Sequence, residues 1–434
     1  MSNTPEQVAI KGGSKLQGSV EAPPSKSHTH RALIAASLSC ETSRIENPSL
    51  CKDAEATVRA VEAYGTDVNL KDGALVVRGT GRIELPVDVV NCLESASTMR
   101  FVTPILAHAK GISVVTGEAS LRQRPMQPII GSLKQLGVQC YSTRNDGHAP
   151  LVIFGGTYDG GKVRITGDLS SQFISGLLFS ASAASKSTSI EVTTTLYSAP
   201  YVDMTLEILK RHGIVVESNS NPTAFSIRGD QTTNSHDHFI EGDYSSAAFL
   251  LAAGVVTGSE ISVSGLKTSE SLQGDSAILS LLKDMGVEVE TGNGSVRVRR
   301  SNPQAIVMDA TDCPDLVPPV AAIACYAQGK TKIMNAERLR TKESNRLSAL
   351  SGELRKMGAE IRETADGLEI AGESGLKGAK VSSHGDHRIA MACSVAALGA
   401  KGETVVSGAG CIAKSYPVFF DDLKSLGGDI RGWK

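Results

Sequence analysis

The sequence has no excess of either charge: 44 basic and 46 acidic residues give a net charge of −2 over 434 residues. Proteins that bind nucleic acids usually carry a basic excess, so the composition predicts no nucleic-acid partner. The sequence also lacks an apolar run close to the ~18 residues that a membrane-spanning helix requires. We therefore expect no association with a membrane.

The eight cysteines form no Cys-x-x-Cys pair and do not follow the spacing of a metal site. They are typical of buried thiols in a reducing compartment. The polar N-terminal residues lack the basic and then apolar pattern of a signal peptide. The sequence therefore predicts a cytoplasmic protein, and we expect it to act as a monomer.

Motifs of several common sites are also absent. There is no GxxxxGK[ST] loop and no strand–GxGxxG–helix unit, so a nucleotide is not indicated. There is no HExxH, and the i,i+2 pairs His28/His30 and His236/His238 do not form a metal-site motif with carboxylates or cysteines. A GxSxG nucleophile elbow is missing as well. We expect no metal and no organic cofactor.

A sixfold repeat is what the sequence does contain. An amphipathic helix, a glycine and a short strand recur at intervals of 69 to 76 residues. One glycine after a helix is a common cap, but six at a regular interval indicate a repeat. The six glycines are Gly65, Gly137, Gly213, Gly286, Gly358 and Gly427.

A second pattern shares this period: a polar segment, then an apolar helix of small residues, then a strand. Its copies begin at Pro23, Glu94, Leu169, Asp243, Asp315 and Asp386. Each unit is predicted to run helix, strand, loop, helix, strand, strand. The sixth unit lacks its last strand, which we expect Val8–Gly13 to supply. Units of this size are too small to be independent domains. The sequence therefore predicts an α/β protein of two domains with three units each, residues 22–241 and residues 1–21 with 242–434.

Basic residues gather in the loops where helices begin. A helix N-terminus carries partial positive charge and favours anions, so cations there are unexpected. Ser and Asp in the same loops are explained equally well as N-caps. Several cations together predict a small, multiply charged anion, bound by side chains and helix N–H groups. The cations are Lys26, Arg31, Arg122, Arg124, the four in RLRTKESNR (338–346), Arg388 and Lys414.

Asp315 and Glu343 lie among these cations and are candidates for acid–base catalysis. Neighbouring cations lower the pKa of a carboxyl group and favour a base, whereas burial raises it and favours an acid. The sequence does not divide these roles between them.

Eight stretches together resemble the family of 5-enolpyruvylshikimate-3-phosphate synthase, in order, from about residue 8 to the C-terminus. They are PPSKSHTHRALIAASL, LRQRPMQPI, SSQF, SAPYVDMTL, EGDYSSAAFLLAA, TKESNRL, GDHRIAMA and CIAKSYPVFFDDL. The resemblance implies an inside-out α/β barrel fold of two domains, each of three βαβαββ units, with the active site in the cleft between them. It implies transfer of the enolpyruvyl group of phosphoenolpyruvate to the 5-hydroxyl of shikimate 3-phosphate, with release of phosphate and no cofactor. This step belongs to the shikimate pathway to chorismate and the aromatic amino acids.

The resemblance also implies a role for each matching residue. Shikimate 3-phosphate is expected to bind Ser27, Arg31, Ser170, Ser171, Gln172, Ser198, Tyr201, Asp315 and Lys342. Phosphoenolpyruvate is expected to bind Lys26, Ala96, Arg124, Gln172, Arg346, Arg388 and Lys414. Asp315 is expected to take the proton of the hydroxyl group and Glu343 to protonate the methylene carbon, and Lys26 to share in proton transfer.

One segment, Glu94–Arg100, departs from the family pattern. Family members commonly have glycine at the position of Ala96, and glycine permits a close approach of the backbone. The added methyl group predicts a narrower phosphoenolpyruvate pocket and poor binding of the slightly longer inhibitor glyphosate. Glu94 replaces a common Asn, which weakens the case for that position as a ligand.

Two other functions compete with this interpretation. The sister enzyme that acts on UDP-N-acetylglucosamine has a Lys-Asn pair in the first polar segment and usually a cysteine before the Arg-Pro. Here the pair is Lys26-Ser27, and residues 111–128 contain no cysteine. A repeat protein that only binds an anion is the second alternative. Such a scaffold would not need Asp315 and Glu343 among its basic loops.

Overall fold

Six sheets of four strands form the framework of the protein, as seen in a computed structural model that describes residues 6–219 and 223–432. The chain divides into two units, each of which is described by itself. The central unit is Pro24–Ile240, and the terminal unit combines Met1–Pro23 with Glu241–Lys434. Each unit contains three of the six sheets.

Strands and helices alternate along the described chain. The strands are β1 (Gln7–Lys11), β2 (Gln17–Glu21), β3 (Thr42–Glu46), β4 (Asp67–Lys71), β5 (Ala74–Arg78), β6 (Val90–Asn91), β7 (Gly111–Thr116), β8 (Gln139–Ser142), β9 (Leu151–Gly155), β10 (Gly161–Ile165), β11 (Thr188–Val192), β12 (Val216–Ser218), β13 (Ala224–Ile227), β14 (His238–Phe239), β15 (Glu260–Ser264), β16 (Val289–Gly292), β17 (Ser295–Val298), β18 (Val307–Asp309), β19 (Lys330–Met334), β20 (Glu360–Glu363), β21 (Leu368–Ala371), β22 (Lys380–Ser382), β23 (Glu403–Ser407) and β24 (Ile430–Arg431). The α-helices are α1 (Lys26–Ser37), α2 (Lys52–Ala63), α3 (Ala96–Ile105), α4 (Gln127–Gln135), α5 (Ser171–Ser182), α6 (Ala199–Arg211), α7 (Tyr244–Val256), α8 (Ile278–Asp284), α9 (Val317–Ala324), α10 (Arg346–Lys356), α11 (His387–Gly399) and α12 (Phe419–Ser425).

One strand order recurs in all six sheets. In the sheet β6-β7-β9-β8, β6 is parallel to β7, and the other two pairings are antiparallel. The parallel pair requires a long crossover connection, which α3 supplies, and β8 and β9 form a hairpin. The other sheets are β14-β3-β5-β4 and β10-β11-β13-β12 in the central unit, and β2-β15-β17-β16, β18-β19-β21-β20 and β22-β23-β1-β24 in the terminal unit.

Distant parts of the chain complete three of these sheets. The N-terminal strand β1 lies between β23 and β24 and pairs antiparallel with both. The next strand, β2, is parallel to β15. In the central unit, β14 is parallel to β3, with His238 opposite Ile45. The terminal unit is therefore built from both ends of the chain.

The helices α1, α3, α5, α7, α9 and α11 form the interior of the two units. All 13 residues of α7 are buried, and its sequence is apolar on every side, as expected for a core helix. Strands such as β1 and β3 alternate between buried and exposed residues, so each covers the helices with one face. Gly176 permits the close approach of α5 to α3, because a Cβ atom there would collide with the carbonyl oxygen of Arg100.

The core helices begin at the polar segments. Five of them have an N-cap side chain that accepts a hydrogen bond from an N–H group of the first turn. These caps are Ser25, Ser95, Ser170, Asp243 and Asp386. The exception is α9, which follows the 3-10 turn Pro314–Leu316 and has no side-chain cap. The carboxylate of Asp315 is thus available for other contacts.

Among the described residues, no helix combines the length and apolar character needed to span a membrane.

Candidate functional site

The predicted site residues fall into two groups, one in each unit. The central cluster comprises Lys26, Ser27, Arg31, Ala96, Arg124, Ser170, Ser171, Gln172, Ser198 and Tyr201. The terminal cluster comprises Asp315, Lys342, Glu343, Arg346, Arg388 and Lys414. Arg31 is the sixth residue of α1, and every other member lies in the first turn of a helix or in the segment before one.

Arg31 joins the starts of α1 and α6 in the central cluster. Its Nε donates to Thr205 Oγ1 (2.8 Å), and its Nη atoms donate to the carbonyl oxygens of Ser27 (3.0 Å) and Tyr201 (2.9 Å). The guanidinium carbon lies 5.3 Å from the ring centre of Phe101 and 5.8 Å from that of Tyr201. Burial lowers the pKa of Arg31 to about 10. These three acceptors are uncharged, so they orient the cation without neutralising it.

Lys26 has a partner that the sequence analysis did not predict. Its Nζ lies 2.8 Å from Oδ2 of Asp53 on α2, and both side chains are largely buried. We expected a bound anion to balance this lysine, but α2 already supplies a carboxylate. Next to this pair, His30 Nδ1 lies 2.6 Å from Thr57 Oγ1, which lies 2.6 Å from Thr98 Oγ1 on α3. These contacts join the starts of α1, α2 and α3.

Arg100 and Gln172 join the starts of α3 and α5. Arg100 Nη1 donates to Gln172 Oε1 (2.9 Å) and Ser170 Oγ (3.3 Å), and its guanidinium carbon lies 4.6 Å from the ring centre of Phe173. Gln172 Nε2 donates to Ser97 Oγ (2.7 Å). Two predicted ligands, Ser170 and Gln172, are thereby held against the segment that departs from the family pattern.

The remaining central residues are placed at four further positions. Ser198 precedes α6 in a left-handed conformation (φ 57°, ψ 41°), and such strain in a residue other than glycine is concentrated at functional sites. Ala96 and Ser171 are the first residues of α3 and α5, and both are buried. Arg124 is buried just before α4.

Arg346 is the centre of the terminal cluster. It is 2% exposed and makes ion pairs with three carboxylates: Asp386 (2.8 Å), Asp315 (2.9 Å) and Glu343 (2.7 Å). Burial would lower the pKa of Arg346, but the three carboxylates raise it above its ordinary value. A buried charge is tolerated only when it is paired in this way.

Two more cations complete the pairing of Asp315 and Glu343. Arg388 Nη2 lies 2.9 Å from Asp315 Oδ2, and Lys414 Nζ lies 3.1 Å from Glu343 Oε1. Each candidate acid or base therefore contacts two cations, one of which is the shared Arg346. The structure brings the two carboxylates into one network through Arg346.

The electrostatics differ between Asp315 and the neighbouring Lys342. Burial would raise the pKa of Asp315, but Arg388, Lys342 and Arg346 hold it well below its usual range. Burial lowers the pKa of Lys342 to about 7, and Arg346 and Arg338 add to this effect. Near neutral pH, Asp315 is ionised, while Lys342 is poised to gain or lose a proton.

Sequence reasoning missed a second buried aspartate, Asp275. It lies in the 3-10 helix Gly274–Ala277 and accepts a hydrogen bond from Ser245 Oγ in the first turn of α7. Burial and the charge of Asp315 raise the pKa of Asp275 to about 7, while Arg388 opposes the shift. Near neutral pH, Asp275 is therefore partly protonated while Asp315 is ionised.

The positions of Asp53 and Asp275 within their repeat units could have identified both carboxylates. Asp53 and Asp275 lie near the second helix of the first and fourth units. The equivalent segments of the other units contain Arg124, Ser198, Lys342 and Lys414. Comparing all six segments would have indicated two further candidates.

Only two of the four basic residues in RLRTKESNR belong to the terminal cluster. Arg338 donates to the carbonyl oxygens of Ala310 (3.0 Å) and Thr311, and Arg340 pairs with Glu363 and donates to Thr364 O (2.8 Å). These two arginines support neighbouring loops, whereas Lys342 and Arg346 lie among the candidate catalytic groups.

No group of three or more His, Cys, Asp or Glu side chains within residues 6–219 and 223–432 is arranged to hold a metal ion. Cations gathered at helix starts in a repeated α/β fold, with paired carboxylates among them, define a class of enzyme that acts on small, multiply charged anions.

Comparisons with known proteins identify the family within this class. The family model described as EPSP synthase (3-phosphoshikimate 1-carboxyvinyltransferase) matches residues 10–423. The chain is 41% identical to the 3-phosphoshikimate 1-carboxyvinyltransferase of Methanocaldococcus jannaschii over 428 residues, 98% of this chain and 99% of that protein. It is 44% identical to the protein of that name from Methanocella arvoryzae over 421 residues, 96% of this chain and 98% of that protein.

A solved structure of EPSP synthase from Acinetobacter baumannii has the same fold. It is 27% identical to this chain, with a TM-score of 0.82, and the match covers 98% of this chain and 99% of that one. The chain belongs to the EPSP synthase family and is an enolpyruvyl transferase.

Proposed function

We propose that the protein transfers the enolpyruvyl group of phosphoenolpyruvate to the 5-hydroxyl of shikimate 3-phosphate and releases phosphate. Family membership supports this reaction. The observation that carries the proposal is the pairing in the terminal cluster, where Asp315 and Glu343 share Arg346 and each contact a second cation. Both substrates are phosphorylated carboxylates, and their negative charge is complementary to the cations of the central and terminal clusters.

For shikimate 3-phosphate, Arg31 is the principal anion-binding group of the central unit. Its three hydrogen-bond acceptors are uncharged, so a bound phosphate can supply the opposite charge. We assign the following residues to this substrate: Ser27, Arg31, Ser170, Ser171, Gln172, Ser198, Tyr201, Asp315 and Lys342.

For phosphoenolpyruvate, the main binding groups are cations fixed by their carboxylate partners. Preorganised cations stabilise the charge that develops as phosphate leaves, without a cost of reorganisation in the reaction. We assign the following residues to this substrate: Lys26, Ala96, Arg124, Gln172, Arg346, Arg388 and Lys414.

Two proton transfers accompany the addition step. Glu343 gives a proton to the methylene carbon of phosphoenolpyruvate, and the hydroxyl oxygen attacks C2 as its proton passes to Asp315. The product is a tetrahedral intermediate. Glu343, now ionised, takes back a proton from the new methyl group as the bond from C2 to the phosphate oxygen breaks and phosphate leaves. The lowered pKa of Asp315 keeps its carboxylate ionised, and therefore without a proton of its own, near neutral pH, and Lys26 shares in proton transfer.

The reaction is tested by following phosphate release with both substrates present. We expect release only when both are added, and Asp315→Asn should slow it by roughly 10²-fold to 10⁴-fold, the usual contribution of a general base. Asp309→Asn is the matched control, because Asp309 is an exposed carboxylate bonded to Thr311.

The same assay distinguishes the competing functions. Release that depends on UDP-N-acetylglucosamine would identify the sister reaction. If folded protein released no phosphate with either acceptor, the protein would only bind anions, and the proposal would be wrong.

We also propose that the protein is a cytoplasmic monomer that binds neither nucleic acids nor membranes, with the two units as its two domains. The near balance of charge supports the absence of a nucleic-acid partner. Light scattering should give the mass of one chain, and fractionation should leave the protein away from membranes. A dimer mass would refute the monomer.

A further inference from the structure

A buried glutamate on α10 lies outside the residues assigned so far. The Glu353 side chain is 3% exposed, yet it accepts four hydrogen bonds. Oε1 accepts from His384 Nε2 (2.7 Å) and Lys356 Nζ (2.8 Å), and Oε2 accepts from the backbone N–H of Ser382 (2.9 Å) and Lys356 Nζ (2.7 Å). Burial would raise the pKa of Glu353, but these partners outweigh it and hold the pKa below its ordinary value. The carboxylate is therefore ionised and fully engaged.

Two of these partners belong to the turn Ser382–Asp386, which leads from β22 into α11. The opposite side of this turn is held by Ser383, whose N–H donates to Ser407 O (2.9 Å) and whose Oγ donates to Gly408 O (3.0 Å). Gly408 immediately precedes the 3-10 helix Ala409–Lys414. The 382–386 turn thus connects α10 with the segment that carries Lys414.

The turn ends at Asp386, the N-cap of α11, and Arg388 follows two residues later. Asp386 also accepts a hydrogen bond from Arg346 Nε at 2.8 Å. The three segments that carry Arg346, Arg388 and Lys414 therefore meet at this one turn.

The turn adopts a conformation that needs support. His384 has a φ of 52°, in the left-handed region that residues other than glycine rarely occupy. Its side chain reaches Glu353, and its N–H donates to Ser382 Oγ (3.1 Å). The contact between Glu353 and Lys356, three residues apart on α10, is an ordinary ion pair along a helix. It does not account for the contacts of the buried Glu353 carboxylate with Ser382 and His384 in the turn.

We infer that Glu353 is a positioning residue that fixes the 382–386 turn on α10 and thereby sets the spacing of Arg346, Arg388 and Lys414. This inference rests on the proposed function, in which these three cations bind phosphoenolpyruvate. Glu353 acts through them and does not touch the substrate.

The substitution Glu353→Gln keeps the size of the side chain but removes its charge and one of its two acceptor oxygens. It cannot satisfy Ser382, His384 and Lys356 together. We expect the KM for phosphoenolpyruvate to rise by ~10-fold to ~100-fold, since displacements near 1 Å have effects of this size. The KM for shikimate 3-phosphate should change by less than about twofold, because most of its assigned ligands lie in the central unit.

The matched control is Glu369→Gln. Glu369 on β21 also pairs with two cations, Lys330 and Arg362, but it has no contact with the turn. This variant should keep both KM values. Loss of thermal stability with unchanged KM in Glu353→Gln would indicate a purely structural role and would overturn the inference.

A second pair of variants decides the question if Glu353→Gln does not fold. His384→Ala removes one bond to Glu353, whereas His384→Gln retains a donor. We expect the alanine variant to raise the KM for phosphoenolpyruvate and the glutamine variant to restore it. Equal KM values in both would contradict the inference.

Hydrogen exchange separates this inference from the proposed function. Amides of the 382–386 turn should exchange faster in Glu353→Gln than in the wild type, with the central unit unchanged. If the wild type gives no turnover, the proposed function fails, and the exchange result still shows whether Glu353 holds the turn. If the wild type is active and the variant matches it in KM and exchange, the inference alone fails.

Discussion

The two units share one strand order, but their charged clusters are stabilised differently. In the central unit, Arg31 donates to a threonine hydroxyl and two carbonyl oxygens. In the terminal unit, Arg346 is surrounded by three carboxylates. The same fold therefore supports a cluster suited to binding an added anion and a cluster that also contains candidate acids and bases.

The difference between the two clusters predicts where replacing a cation affects stability as well as activity. Cations held by uncharged oxygens can be replaced without leaving a buried charge behind. Cations held by carboxylates cannot, because the carboxylates remain. In the central unit, Lys26 is a cation of the second kind, since it is paired with Asp53.

The largest expected effect comes from Arg346→Met. Three carboxylates, of which Asp386 is fully buried, would lose their common partner. We expect a loss of about 3–5 kcal/mol in the free energy of unfolding, measured by urea denaturation. The exposed Arg362→Met should lose less than about 1 kcal/mol. Similar losses in both variants would show that the buried pairing of Arg346 with three carboxylates stabilises the fold no more than an exposed ion pair does.

A smaller effect is expected from Lys26→Met, which leaves Asp53 buried without its observed cation. We expect a loss of about 2 kcal/mol in the free energy of unfolding, below the range for a deeply buried pair because Lys26 is partly exposed. Adding Asp53→Asn should restore stability but not phosphate release. If the double variant regained activity, Lys26 would serve only to balance Asp53.

The pH dependence of stability tests Asp275. Its pKa in the folded protein, about 7, lies above the ordinary 3.8, so the folded state binds more protons between these values. This group therefore stabilises the fold at low pH, and that contribution is lost as pH rises toward 7, by at most ~1.4 kcal/mol per pH unit.

In Asp275→Asn this loss should be absent, as measured by urea unfolding between pH 5 and pH 8. Partial desolvation would raise the pKa of the exposed Asp309, but its hydrogen bonds to Thr311 and Asn335 lower it, so Asp309→Asn should not alter the slope in this range. Parallel curves for the wild type and Asp275→Asn would contradict the assignment.

The smallest change concerns Ala96, the first residue of α3 in the central cluster. Ala96→Gly removes one methyl group, and we expect glyphosate to inhibit roughly tenfold more strongly, about 1.4 kcal/mol in binding. The KM for phosphoenolpyruvate should change less. Unchanged inhibition would show that this methyl group does not narrow the pocket.

Much of the framework could be predicted because its signals are local and periodic. The regular glycines and the small-residue helices indicated six units, and β1 pairs with β23 and β24 at the place where the sixth unit lacked a strand. The caps Ser25 and Asp386 were also recognisable, because an N-cap and the N–H group it accepts from lie within a few residues.

The partners of the charged residues were harder to predict. Asp53 lies 27 residues from Lys26, and Glu353 reaches a turn 29 and 31 residues away. Such pairs depend on how elements pack, and no local pattern indicates them. Which cations lie near one another was therefore easier to predict from the sequence than which carboxylates pair with them.

The position of β1 has a consequence for synthesis on the ribosome. Strand β1 is made before all the other described strands, yet its neighbours β23 and β24 are made after them. All three sheets of the central unit can form before β23 is made, whereas the sheet β22-β23-β1-β24 has to wait for β23 and β24. Until then β1 lacks both of these neighbours, and nascent-chain chaperones would be expected to cover its unpaired backbone groups.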